Sequence, residues 1–256
     1  TVSDINIGNN LCTYSIDKET GNLGISFKEN NYKVDGPIVN VWRAPISNEK
    51  VSWGRAEAED WYNIGLNRLN LDTVSVSINK YDEKTTVTAR QYYRAPGKYD
   101  YVINTFEYSF LKDGAVKIEQ QIEFLGQMHM EWVPRTGMKF SLPEDYNMVK
   151  WYGKGPFETY PDRKTGAKTG WYELSADSFY VPYVEPEDYG NRCDVREVTL
   201  SDKNGNGLKI TGEDKFNFAV TPFNNIERTV YPFQLKKNGN MNLFISDAVT
   251  GVGDTP

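Results

Sequence analysis

Several things are scarce in this chain. It has one histidine, His129, and two cysteines, Cys12 and Cys193. A single imidazole excludes a histidine cluster for a transition metal. Two cysteines far apart in sequence are too few for a disulfide framework or a thiolate metal site. They leave one bridge or two free thiols, and the lack of any secretory context favours free thiols. The start, Thr1-Val2-Ser3-Asp4, has no Met and no charged-then-apolar leader. The chain is therefore expected to begin inside a larger gene product, or after processing. No Asn-x-Ser/Thr sequon occurs, and no Gly-x-Ser-x-Gly elbow. No apolar run approaches the roughly 18 residues of a spanning helix, so no membrane is expected as a partner. Lys and Arg total 29 against 35 Asp and Glu, a net charge of −6. The two signs are interspersed with no basic stripe, which argues against nucleic acid as a partner.

What is present is strand. Val116, Ile118, Ile122 and Phe124 alternate with Lys117, Glu119, Gln121 and Glu123, the period of a half-buried strand. Val74-Ser75-Val76-Ser77-Ile78, residues 101–110, Phe216 to Val220, and Leu243 with Ile245 repeat it. Asp113-Gly114 and Asn204-Gly205-Asn206-Gly207 separate such runs, and Asn238-Gly239 is expected to precede the last. Trp53 to Leu69 turns helical in composition, with Trp61, Ile64 and Leu69 on one face, so a short helix or irregular loop is expected. Residues 151–194 show little alternation and much Gly, Pro and Tyr, which reads as a long functional loop region. The 256 residues suit one large sandwich domain, with no linker or repeat to divide it.

Four segments are more specific. They are Val41-Trp42-Arg43-Ala44-Pro45, the run Trp151-Tyr152-Gly153-Lys154-Gly155-Pro156-Phe157-Glu158-Thr159-Tyr160-Pro161-Asp162-Arg163, the stretch from Tyr180 to Arg192, and Gly251-Val252-Gly253-Asp254. With Pro134-Arg135-x-Gly137, and in this order, the chain resembles the C-terminal small-chain domain of the large bacterial β-galactosidases of glycoside hydrolase family 2. The resemblance implies an all-β, large antiparallel two-layer supersandwich of the galactose-mutarotase type, with at most one or two short helices. It implies a fragment of a larger multidomain enzyme, in which a separate (β/α)₈ barrel carries both catalytic glutamates and a magnesium ion. Neither glutamate maps onto this chain, so it is expected to hold no catalytic residue, no metal and no cofactor. The parent enzyme is expected to be oligomeric. The compartment is open between the bacterial cytoplasm and a secreted or cell-envelope location.

The resemblance also implies partners and a site. The domain packs on the barrel and other domains of the parent, and lends loops to the rim of the galactoside pocket. One loop is Ile46-Ser47-Asn48-Glu49-Lys50, leading to Trp53. The family more often reads Thr-Asp-Asn-Asp at the first four positions, so Asn48 is retained and Glu49 keeps an acid. The terminal glycines lead to Asp254, where many members continue Gly-Asp-Asp-Ser-Trp; here Thr255-Pro256 follows. Glu187-Asp188-Tyr189-Gly190 stands where Gln-Glu-Asn-Gly is common. Asn48, Glu49, Trp53 and Asp254 are thus the expected sugar contacts.

Arg43, Glu158, Asp162, Arg163, Asp188, Arg192 and Arg196 read as a structural polar network, because a buried guanidinium needs an acid partner. They could instead hydrogen-bond sugar hydroxyls. Trp42, Trp53, Trp151 and Trp171 are either stacking platforms or core. Two other functions fit the composition. An independent carbohydrate-binding module would use the aromatics, and an aldose mutarotase would need an acid–base pair, for which His129 is the one imidazole.

Overall fold

The computed structural model describes residues 4–8, 12–27, 33–50, 56–80, 84–111 and 113–253. Trp53 and Asp254 lie outside them. Among the described residues strand dominates, the strand pairs within each unit are antiparallel, and the longest helix has eight residues. The contacts divide the chain into two compact units, residues 1–39 with 61–130, and residues 40–60 with 131–256.

The first unit contains two meanders. β1 (Asp4–Gly8), β2 (Cys12–Asp17), β3 (Leu23–Phe27) and β4 (Lys33–Asn40) pair in sequence order. Alternation along β2 points Cys12, Tyr14 and Ile16 inward, beside Leu23, Ile25 and Val34. β5 (Asn70–Lys80), β6 (Thr85–Arg94), β7 (Tyr101–Phe110) and β8 (Val116–Leu125) form a four-stranded sheet. Val87, Ala89, Val102, Phe106 and Tyr108 fill its inner face.

The two layers meet through ring and polar contacts. Tyr14 packs on Phe110 with ring centroids 5.4 Å apart, and the Tyr108 hydroxyl donates to the Gly21 carbonyl at 3.2 Å. A buried chain of amides adds to this. Gln120 donates to Asn104 (2.7 Å), Asn104 to Gln91 (2.7 Å), and Gln91 to the Thr20 carbonyl (2.6 Å) and the Asn22 side chain (2.9 Å). Gln91 and Asn104 are fully buried, so each bond removes a desolvation penalty as well as making a contact.

The helical composition near residue 60 resolves into α2 (Glu57–Ile64). Gly65 ends it in the left-handed region, and a 3-10 turn, Leu66–Arg68, follows. Trp61, Ile64 and Leu66 are buried, and Leu69 is half-buried.

The second unit is built on β9 (Arg135–Pro143), β10 (Met148–Gly155), β11 (Lys168–Ser175), β12 (Arg192–Ser201), β13 (Gly207–Phe223) and β14 (Lys237–Val249). Their spatial order is β9-β14-β13-β12-β10-β11. Register puts Val149 beside Leu200, Trp151 beside Val198, Val220 beside Leu243, and Leu243 beside Phe140. These side chains form the core, with Trp151 packed edge-on to Phe179 and Phe218 at 5.5 and 5.8 Å.

The stretch 151–194 is therefore only partly loop. β10 continues to Gly155 and β11 occupies 168–175, leaving 156–167 and 180–191 irregular. Asn238-Gly239 also falls within β14 rather than ahead of it, where the register with β13 shifts. Asp113-Gly114 and Asn204–Asn206 turn the chain between strands, as their chemistry predicts. Both cysteines are buried, and neither forms a disulfide.

Candidate functional site

Four irregular segments of the second unit are fastened together: 41–50 after β4, 156–167 after β10, 180–191 before β12, and 250–253 after β14. The residues that fasten them are mostly charged, and each acid is met by donors.

Arg43, only 2% exposed, grips Glu49 with both terminal nitrogens, at 3.0 and 2.6 Å. The backbone N–H of Ile46 donates to the same carboxylate at 2.9 Å. One-turn helix α1 (Ser47–Lys50) is thus held at its start by its own third residue. Burial pushes the Glu49 carboxyl up, opposed by the Arg43 charge and the Ile46 N–H. Arg43 Nη2 also donates to Thr250 Oγ1 (2.5 Å) and the Gly251 carbonyl (3.2 Å). One guanidinium therefore joins the 46–50 loop to the terminal glycine segment.

Asp162 secures that segment from the other side. Its carboxylate accepts the N–H of Val252 at 2.9 Å and of Gly253 at 2.6 Å. The approach needs bare glycine. A Cβ on Gly251 would lie 2.6 Å from the Asp162 carboxyl carbon, and one on Gly253 2.8 Å from its oxygen. The Gly-x-Gly spacing has a steric cause here.

Glu158 is buried and accepts Arg163, the Tyr183 hydroxyl, and the Gly190 N–H at 2.8 Å. Burial, with the hydrogen bond to Glu158, raises the Tyr183 phenol to about 12. Asp188 accepts Arg135 at 3.2 Å and the Tyr160 hydroxyl at 2.9 Å. Tyr160 is buried, and that burial drives its phenol well above the usual value. Arg192 has a different environment. Its guanidinium sits 4.4 Å from the Phe179 ring centroid and 5.3 Å from that of Trp151, and donates to the carbonyls of Gly190 and Asn191 at 3.0 and 3.3 Å. Burial lowers it to about 10. Arg196 stands apart, exposed over the Tyr152 ring at 5.7 Å.

Among the expected sugar contacts, Glu49 is occupied by Arg43 and Ile46. Asn48 is exposed, and its side chain makes no hydrogen bond to a described residue. Its neighbour Ser47 donates N–H and hydroxyl to Glu187, both at 2.9 Å. The loop is therefore held on both sides of an Asn48 amide that faces solvent. Trp151 is core, Trp42 half-buried, and Trp171 exposed against Tyr152 on the strand surface. His129 is exposed in the first unit, with no hydrogen bond or ion pair to a described residue. Among the described residues, no three His, Cys, Asp or Glu are grouped to hold a metal ion. No described helix is long and apolar enough to cross a membrane.

Sequence reasoning did not single out Arg135, Tyr160, Tyr183, Glu187 or Thr250 as members of this cluster. The available signal was general: acids crowded into Pro- and Gly-rich segments need donors, and Tyr and Arg are the buried donors at hand.

Known proteins resemble this chain along nearly its whole length. The family model described as beta galactosidase small chain matches residues 8–256. A beta-galactosidase of Kluyveromyces lactis is 26% identical over 246 residues, covering 94% of this chain and 23% of the relative. One from Priestia megaterium is 26% identical over 257 residues, with 94% and 23% covered. One from Streptococcus thermophilus is 27% identical over 266 residues, with 98% and 24% covered. The chain thus spans about a quarter of the length of these relatives. With the match running through every segment of the cluster, the chain belongs to the beta galactosidase small chain family.

Proposed function

We propose that this chain is the accessory, non-catalytic domain of a glycoside hydrolase family 2 β-galactosidase. It packs on a catalytic barrel that supplies the two glutamates and the magnesium, and it forms part of the rim of the galactoside pocket. The rim consists of the loop carrying Asn48 and the segment running through Gly253 to Asp254. The observation that carries this reading is the Arg43 bridge. A single buried guanidinium holds Glu49 and Thr250 together, so two segments 207 residues apart present one edge, with the Asn48 amide exposed on it. Such rigid support is what a polar contact needs to orient a hydroxyl.

Two measurements test it. The 256-residue chain alone should not hydrolyse a chromogenic β-galactoside, because retaining hydrolysis needs a pair of carboxylates about 5–5.5 Å apart. In the full-length parent, Asn48→Ala should raise KM several-fold at near-constant stability. Turnover by the isolated chain, or an unchanged KM, would overturn the reading. Among the described residues no hydrogen bond or ion pair joins His129 to an acid, so no observation favours the mutarotase alternative.

A further inference from the structure

We propose that the four-stranded sheet of the first unit carries a second saccharide-binding site, at a cleft beside Asp72, Arg94 and Tyr99. This site does not depend on the pocket-rim reading. Family membership enters only in choosing a galactoside as the probe.

The cleft is built by two local irregularities. Along the β5–β6 ladder Leu71 pairs with Tyr93 and Thr73 with Tyr92, so Asp72 is an extra residue, a β-bulge. The bulge aims Asp72 at Arg94 (2.8 Å) and at the Tyr101 hydroxyl (3.1 Å). After β6 comes Ala95-Pro96-Gly97-Lys98, closed by a Lys98 N–H to Ala95 carbonyl bond of 3.1 Å. Pro at the second position and Gly97 at φ 74 give the type II turn its chemistry. The turn leaves Tyr99 91% exposed. Asp72, Arg94, Lys98 and Tyr99 line a cleft of about 390 Å³.

The exposed ion pair is a weak source of stability: Asp72 and Arg94 are each about one-third exposed, and such surface pairs add little. Yet the bulge interrupts a regular ladder to make it. Tyr99 buries nothing that would explain an aromatic there.

The chemistry fits a neutral polyhydroxylated ligand. Arg94 already has its counter-ion, so an anion would have to compete with Asp72. Together the pair offers acceptors and donors side by side, which is the complement of adjacent hydroxyls. Tyr99 offers an uncovered ring face, whose negative quadrupole attracts the C–H face of a pyranose. The binding face extends along the sheet. Tyr101 meets Tyr92 edge-on at 6.2 Å, and the Arg94 and Arg90 guanidinium groups lie over those rings at 5.2 and 5.7 Å. The aromatic and guanidinium groups form one continuous row on the outer face.

The test is amide-resolved NMR titration of the 256-residue chain with lactose, and separately with inorganic phosphate. Lactose up to about 100 mM should shift amides of 71–73 and 94–101 with millimolar affinity, and phosphate should not. Tyr99→Ala should weaken binding roughly tenfold or more with the remaining spectrum unchanged, and Asp72→Ala should do the same. Asn48→Ala should leave this binding intact. No lactose shift in these segments, a shift caused by phosphate alone, or full affinity in Tyr99→Ala would overturn the proposal. Loss in Asn48→Ala with persistence in Tyr99→Ala would place the sugar at the rim, overturning this site and leaving the rim reading standing.

Discussion

Arg43 and Glu49 form a two-pronged buried ion pair, with N–O distances of 2.6 and 3.0 Å, inside a single loop. The same guanidinium reaches Thr250 and Gly251. Removing one partner leaves the other charge buried. Glu49→Ala or Arg43→Ala should therefore destabilise the fold by about 3–5 kcal/mol, read from urea unfolding. Replacing both, as Arg43→Met with Glu49→Leu, should recover much of that loss, because a buried pair is often no better than apolar packing. A double variant as unstable as the singles would show that the carbonyl and hydroxyl contacts of Arg43 matter more than its charge partner.

Asp162 works on a smaller scale. Its carboxylate is exposed, and its role is to receive two backbone N–H groups of the terminal segment. Asp162→Ala should cost no more than about 1 kcal/mol globally. Hydrogen exchange at Val252 and Gly253 should accelerate by roughly tenfold or more, since local opening is decoupled from global unfolding. Unchanged exchange at those amides would mean that Arg43 alone fixes the segment.

Alkaline pH should unfold the protein in a specific window. Burial raises the Tyr93 phenol to about 12, and burial with the Glu158 contact does the same for Tyr183. Tyr108 and Tyr160 lie well above the ordinary value, again by burial. In the unfolded chain a phenol ionises near 10. Between about pH 10 and 12 the native state therefore holds more protons, and stability falls as pH rises. Below that window the contribution is complete. Near-ultraviolet phenolate absorbance should rise in two phases, the second coinciding with loss of far-ultraviolet dichroism. Full ionisation of all 17 tyrosines with the sheet signal intact would contradict this.

The strands that sequence exposed best are those with one wet face. β8 alternates Val, Ile and Phe with Lys, Glu and Gln, and its burial follows that pattern from Val116 to Ile122, while Phe124 is exposed. β10 was obscured for a physical reason. Its buried positions run Val149, Trp151, Gly153, Gly155, and the last two carry no apolar side chain to register as a period. A Cβ at Gly153 would meet Val195 at 2.6 Å, and one at Gly155 would meet Tyr172 at 2.8 Å, so the neighbours supply the missing bulk. Family motifs located the segments of the loop cluster, including Arg43, Glu49, Asp162 and Asp188. The pairing among them was not readable. Thr250 is 207 residues from Arg43, and nothing local marks a hydroxyl as the partner of a distant guanidinium.

The amide chain in the first unit has a polarity. Read from Gln120 through Asn104 and Gln91 to the Thr20 carbonyl, every link passes a donor forward and accepts from behind. No member can turn over alone, because reversing one amide sets oxygen against oxygen on one side and N–H against N–H on the other. The row therefore behaves like a one-way key, which only a single alignment of β6, β7 and β8 beneath the Asp17–Asn22 turn can fit. Conversion of Asn104 to aspartate, which keeps its shape almost unchanged, would still jam the key. It would put a carboxylate oxygen against the Gln91 oxygen in place of the Asn104 N–H that donates there.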